Sequence, residues 1–402
     1  MVLRTNTVTM KYIYIRQALS ITLMSILFLV FCGTYSSKAD RLWKVSIISP
    51  TTGIHKLRGI QVVDGVETGI INYFPNHLSN TIEFSYHDSK SDIWIEKEIL
   101  DHLIGNNEAN VIIAELSIEN LEYAIDMASK HKVMLIITSQ VPPINKSEYS
   151  CNGQYVAYTG ISSLHITHPV TQLIKKADAN TIMIITSNDI FGRSISDIIK
   201  KHPDNKNRKI HILHLSTMYK YNSYGFIASQ INKLNPNILF ALYASHNATH
   251  LAEGISQIQK EFQQMKVFAW GETDTYNTNN YPTNMITSIS NYLSSYNHAE
   301  NVSFLRIFRR TFKKQPDIHT IYGYDAINLL FTLFSSHAKE TPHDLSMPSL
   351  ITIKSPRGEL QNSHGAYSQD IHTFSYSKTN VGNTQTIIQT FPHISSTQHT
   401  CE

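Results

Sequence analysis

From residue 43 to about residue 270 the chain alternates short apolar runs with amphipathic stretches. That alternation limits the fold more than any other feature. The first unit sets the pattern. Lys44-Val-Ser-Ile-Ile-Ser-Pro50 is an apolar run closed by a proline. Thr51-Thr-Gly53 is a turn signal, and Ile60, Val63, Val66 and Ile70 then recur at helical spacing up to Asn72. Strands are predicted next at 81–86, 110–114, 133–138, 181–186, 209–215, 237–243 and 266–270. Helices are predicted at 92–103, 118–130, 167–177, 192–201, 223–234 and 248–262. Such α/β alternation implies parallel sheets with helices on both faces. The strands are too many for one small sheet, so two sheets are expected, with a break near Tyr155–Gly160. The last third changes character. Helices at 302–312 and 320–335 precede short β segments at 350–353, 360–361, 371–377 and 385–390, which suit an antiparallel addition.

The first 39 residues read as a signal peptide. Lys11 and Arg16 form a basic start, Ala18–Phe31 is apolar, and Ser37-Lys38-Ala39 offers small residues before a cut at Asp40. Leu29-Val-Phe-Cys32-Gly33 also resembles a lipoprotein box, so lipidation at Cys32 stands beside cleavage after Ala39, and the start is Met1 or Met10. The leader holds four basic residues and no acid. The remaining 363 residues carry 30 basic and 31 acidic side chains, a balance that gives no reason to expect nucleic-acid binding. At that length two lobes are expected. Cys151 and Cys401 are either one disulfide or two unpaired thiols. His211/His214 do not form a metal pattern, because strand residues three apart face opposite sides, and His165/His168 suit surface polarity. No nucleophile motif, phosphate loop or metal signature is visible, and no cofactor is expected.

The order of these elements, with several local motifs, resembles the type I periplasmic solute-binding proteins, most closely the branch for branched-chain amino acids and amides. The motifs are Ile48-Ser-Pro50 with Gly65 and Asn72, then Asp189-Ile-Phe-Gly192, then Tyr322-Gly-Tyr-Asp-Ala-Ile-Asn-Leu-Leu330, and finally Ser355-Pro-Arg-Gly-Glu-Leu-Gln-Asn-Ser-His-Gly365. The resemblance spans about residues 43–390. It implies an α/β, two-lobed type I periplasmic-binding-protein fold, each lobe a mostly parallel sheet flanked by helices, with three inter-lobe crossovers. Lobe one is expected from 41–157 and 290–345, lobe two from 158–289 and 346–395, and 396–402 as a loose tail.

The resemblance also implies a non-enzymatic, exported periplasmic protein that captures a small polar solute, an amino acid or amide, for an ABC permease in the inner membrane. On lobe one it points to Thr52, Ser117, Thr138 and Ser139 as ligand neighbours, although these also suit turns and a helix cap at Ser117. On lobe two it points to Phe191, Tyr243 and Ser245, with Glu272 and Asp274 as acids for a ligand ammonium. Trp270 suits the core. One departure stands out. The loop before Ser117 is glycine-proline-rich in the family, whereas here it is Ala114-Glu115-Leu116. If Glu115 faces the cleft, it opposes a ligand carboxylate; it can also face outward, or select a cationic or neutral ligand. The same departure suits a second role, a sensory or cell-envelope interaction module without transport.

Overall fold

The computed structural model describes residues 42–75, 82–139, 155–161, 163–177, 179–215, 224–242, 265–270, 286–290, 292, 295–336, 347, 350–363, 366–368, 371–379 and 382–391. The expectations for residues 1–39, for Cys32, Cys151 and Cys401, for the helix at 248–262 and for the tail at 396–402 lie outside them.

Two sheets are present. The first contains β1 (Trp43–Ser49), β2 (Ile82–Asp88), β3 (Val111–Ala114), β4 (Met134–Ile137) and β5 (Val156–Tyr158), all parallel, in the order β2-β1-β3-β4-β5. The second contains β6 (Thr181–Ser187), β7 (Lys209–Leu215), β8 (Ile238–Leu242), β9 (Lys266–Trp270) and β10 (Ile286–Ser290), again parallel and in the equivalent order β7-β6-β8-β9-β10. β3, β4 and β8 are buried along their whole length, which accounts for their unbroken apolar sequences. The chain leaves the first sheet after Tyr158, within the predicted break.

Helices connect the parallel strands. α1 (Lys56–Tyr73), α2 (Ile93–Gly105) and α3 (Leu121–His131) belong to the first half. α4 (Ser163–Lys176), α5 (Ile190–Lys201) and α6 (Tyr224–Leu234) belong to the second. α7 (Ala299–Phe312) and α8 (Ile318–Ser336) follow, and both pack on α1.

The C-terminal strands are antiparallel to one another but divide between the sheets. β11 (Leu350–Ser355), β12 (Gly358–Ser363) and β13 (Ala366–Ser368) join the first sheet through β5. β14 (Ile371–Thr379) and β15 (Gly382–Phe391) join the second through β10. The sequence expectation kept 346–395 together in one lobe. Apolar patterning cannot distinguish the two sheets, because each has an edge strand, β5 or β10, awaiting a partner.

Two joints hold the far end of the chain to its beginning. α1 and α8 meet backbone to backbone. A Cβ on Gly65 would stand 1.9 Å from the carbonyl oxygen of Thr320, and one on Gly323 would stand 2.1 Å from that of Val62. Beside them, Asn72 Nδ2 donates to the Tyr324 hydroxyl (2.8 Å), which donates to the Tyr73 hydroxyl (3.2 Å). The second joint is ionic. Arg357, in the turn between β11 and β12, donates from Nε and Nη2 to Asp325 Oδ2 at 2.9 and 2.6 Å, and from Nη2 to the carbonyl of Thr159 at 3.1 Å. The Thr159 hydroxyl donates to the carbonyl of Tyr322 (2.9 Å), and the Arg357 guanidinium lies over the Tyr322 ring. Burial pushes the Asp325 carboxyl up, against the pull of the Arg357 charge.

Both joints yield expected outcomes. Gly65→Ala lowers the free energy of unfolding in urea by at least about 1–3 kcal/mol, because a backbone carbonyl occupies the space the methyl needs. Gly105→Ala, with nothing within 4 Å of the new Cβ, is neutral or raises stability by up to about 1 kcal/mol. Arg357→Met removes the charge facing buried Asp325 and costs about 3–5 kcal/mol in the same assay, and adding Asp325→Leu recovers most of that loss.

Candidate functional site

The loops that follow β1, β2, β3, β4 and β6 converge on a cavity of about 270 Å³. Pro50, Ser89, Glu115, Ser139 and Asp189 lie just beyond the carboxyl ends of those strands. The cavity therefore sits where open α/β sheets bind ligands, at the reversal of strand order between β1 and β3. Three helix starts also reach it: His55 and Arg58 at α1, Asp92, Ile93 and Glu96 at α2, and Asp189 and Phe191 at α5. Residues from both halves of the chain thus line one cavity.

Glu115 answers the question its sequence position raised. It faces inward, 1 % exposed, on the cavity wall. Arg58 Nε stands 2.7 Å from Glu115 Oε1, and the Thr138 hydroxyl lies 3.1 Å from both Glu115 Oε2 and the Ala114 carbonyl. Arg58 is the charge that allows this carboxylate to be buried. A second buried acid lies alongside. Glu96, 4 % exposed, accepts from the Ser117 amide (3.0 and 3.1 Å), the Ser117 hydroxyl (2.6 Å) and Asn120 Nδ2 (3.0 Å). Burial pushes its carboxyl above the usual range, opposed by those hydrogen bonds and reinforced by the nearby charge of Glu115. Its position in the first turn of α2 also favours negative charge.

Two more acids of the wall, Asp92 and Asp189, organise the chain locally. Asp92 accepts from the amides of Trp94 and Ile95 and caps α2. Asp189 accepts from the Gly192 amide (2.7 Å) and the Ser187 hydroxyl (2.8 Å) and caps α5. The Asp-x-x-Gly motif is thus a helix start. Among the described residues no group of three or more His, Cys, Asp or Glu is arranged to hold a metal ion. No described helix is long and apolar enough to cross a membrane.

A sequence model of the periplasmic binding protein family matches residues 43–345. The chain belongs to this family. No curated protein matches it by sequence. Among solved structures, a solute-binding protein of an ABC transporter from R. palustris, in complex with 4-hydroxybenzoate, superposes with a TM-score of 0.77 at 17% identity, covering 88% of this chain and 97% of its own. A leucine binding protein from Thermotoga maritima gives 0.69 at 12% identity, covering 87% and 99%. A branched-chain amino acid transporter substrate binding protein from Streptococcus pneumoniae, in complex with isoleucine, gives 0.67 at 13% identity, covering 88% and 99%. These likenesses show the fold, the two-lobed arrangement of parallel sheets flanked by helices.

In this periplasmic binding protein, Ser117, Ser139 and Phe191 line the cavity. Ser117 does not cap a helix. α3 starts at Leu121 with Asn120 before it, and Glu96 takes the Ser117 hydroxyl instead. Thr138 is fully buried behind the wall. Thr52 is exposed and outside the cavity lining; its hydroxyl and amide donate to Asp88, at 2.7 and 3.2 Å. Tyr243, Ser245, Glu272 and Asp274 lie outside the described residues. Trp270, the last residue of β9, is buried in the core. Arg58, Glu96 and Asp92 are wall residues that the sequence did not single out. The available signal was their place in the first turn of a helix, or just before it, after an apolar strand.

Glu96 carries a pH signature. Its folded-state pKa lies above the ordinary value of 4.5, so the folded protein keeps this proton to higher pH than the unfolded chain. Its stabilising contribution is fully present below about pH 4.5 and declines as pH rises through the folded value. Glu96→Gln removes that decline. Urea denaturation between about pH 4 and pH 8 is therefore expected to show the stability difference, wild type minus variant, shrinking as pH rises.

Proposed function

We propose that this periplasmic binding protein captures a small polar solute of the amino-acid or amide class between two lobes built on its two sheets. It delivers that solute to an ABC permease in the inner membrane. The observation that carries this reading is the cavity beyond the carboxyl ends of the strands, walled by Arg58, Glu115, Ser117 and Ser139 from one half and by Asp189 and Phe191 from the other. A solute touching both walls favours the closed arrangement of the lobes, and no bond need be made or broken. The ligands named for similar structures, 4-hydroxybenzoate and isoleucine, are solutes of a size that such a cavity accepts.

Ser117, Ser139 and Phe191 are the ligand neighbours in this reading, and Glu272 and Asp274 remain proposed acids of the second wall. Export follows from the leader, with the mature chain beginning after Ala39 or at a lipidated Cys32.

Isothermal titration tests the capture step. Protein freed of co-purified solute by unfolding and refolding is expected to give one saturable site with a member of a panel of amino acids, amides and urea. Absence of heat across the whole panel counts against the reading. Crosslinking in cells is expected to recover a permease; recovery of a histidine kinase or wall synthase in its place supports a sensory or envelope role.

A further inference from the structure

Several donors at or just behind the first wall already hold carboxylates of the protein itself, although among the described residues the hydroxyls of Ser89 and Ser139, also on the cavity, hold none. The amide and hydroxyl of Ser117 are taken by Glu96, at 3.0 and 2.6 Å. The Thr138 hydroxyl lies 3.1 Å from Glu115, and Arg58, the one arginine of the wall, stands 2.7 Å from the same carboxylate. On the opposite wall the amide of Gly192, at the start of α5, is taken by Asp189. An anion drawn to those occupied donors would have to displace one of these acids and leave a buried carboxylate without its donors.

The charge of the wall points the same way. Asp92, Glu96, Glu115, Glu119 and Asp189 line it, against Arg58. The Arg58 charge is matched by Glu115, so among the described residues the excess is negative. Clefts lined by one sign of charge concentrate the opposite sign. Glu119 differs from the other acids in having no hydrogen bond or ion pair among the described residues. Like Asp92 it is exposed, but no part of its carboxylate is engaged by the described residues. Phe191, 4 % exposed and packed in the core, adds an apolar edge and no hydroxyl to the lining.

We propose that the solute carries an ammonium or amidinium-type cation and no free carboxylate, with Glu119 as the acid that meets the cation. This rests on the solute-capture reading and narrows it, from amino acids and amides in general to amines and amino-acid amides.

Matched solutes test it by titration. Leucinamide is compared with leucine, and benzamidine with benzoate, so that shape is held while the carboxylate is exchanged for an uncharged or cationic group. Leucinamide or benzamidine is expected to bind at least about tenfold tighter than its carboxylate partner. Equal or tighter binding of leucine or benzoate overturns the inference and leaves solute capture standing. Absence of heat from all four, together with absence of heat across the broader panel, overturns capture and this inference with it. Glu119→Gln adds a second arm. It is expected to weaken the tighter-binding cation by about tenfold without moving the urea midpoint, because it removes one charge and no internal bond. Unchanged affinity in that variant overturns the role of Glu119.

Discussion

The structure depends on the place where α1 and α8 touch without side chains between them. Gly65 lies against the carbonyl of Thr320, and Gly323 against that of Val62. Some 250 residues of chain separate these positions, so the contact closes a very long loop. With the backbones this close, Asn72 can reach Tyr324 and Asp325 can be buried within reach of Arg357. Arg357 in turn holds Thr159, the residue at which the chain leaves the first sheet. One tight helix crossing therefore positions the exit from the first sheet and the β11–β12 hairpin together. This joint is made of packing and hydrogen bonds, and it fixes the frame on which the cavity loops are hung.

The cavity follows a different logic. Each of its loops follows a parallel strand and opens a helix or turn, so polar backbone groups collect there. The protein satisfies many of them internally. Asp92 and Asp189 cap helices, Glu96 secures the Ser117 turn, and Glu115 is balanced by Arg58. Buried acids satisfied in this way give the wall a defined shape, and they also define its charge. The loop geometry and the charge of the wall are thereby coupled, since the carboxylates that hold the loops also line the cavity.

Much of the fold was legible in the chain. β3, β4 and β8 are buried on both faces and therefore uniformly apolar, so the two parallel sheets could be counted from their strands. The break near Tyr155–Gly160 was legible for the same reason. The family motifs were recognisable, but their purpose was not. Asp189 and Gly192 make a helix cap, Gly65 and Gly323 make a helix crossing, and Asp325 and Arg357 make an ion pair. The candidate site was legible in outline. Ser117, Ser139 and Phe191 reach the cavity, whereas Thr52 is turned to Asp88 and Thr138 lies behind the wall. Arg58 and Glu96 passed unnoticed because charges in a first helical turn ordinarily face solvent.

The sequence by itself determined the α/β class, the two sheets and the strand ends at which a ligand would be sought, because these follow from local periodicity and from burial on both faces of a strand. Only the tertiary structure decided which sheet the C-terminal strands join, which residues pair across some 250 positions, and which way Glu115 points. Edge-strand pairing and ion pairing are choices among partners distant in the chain, and local patterning is alike for each alternative. The direction of Glu115 depends on whether a cation stands close enough to balance it, and Arg58 supplies that cation from a helix more than fifty residues away.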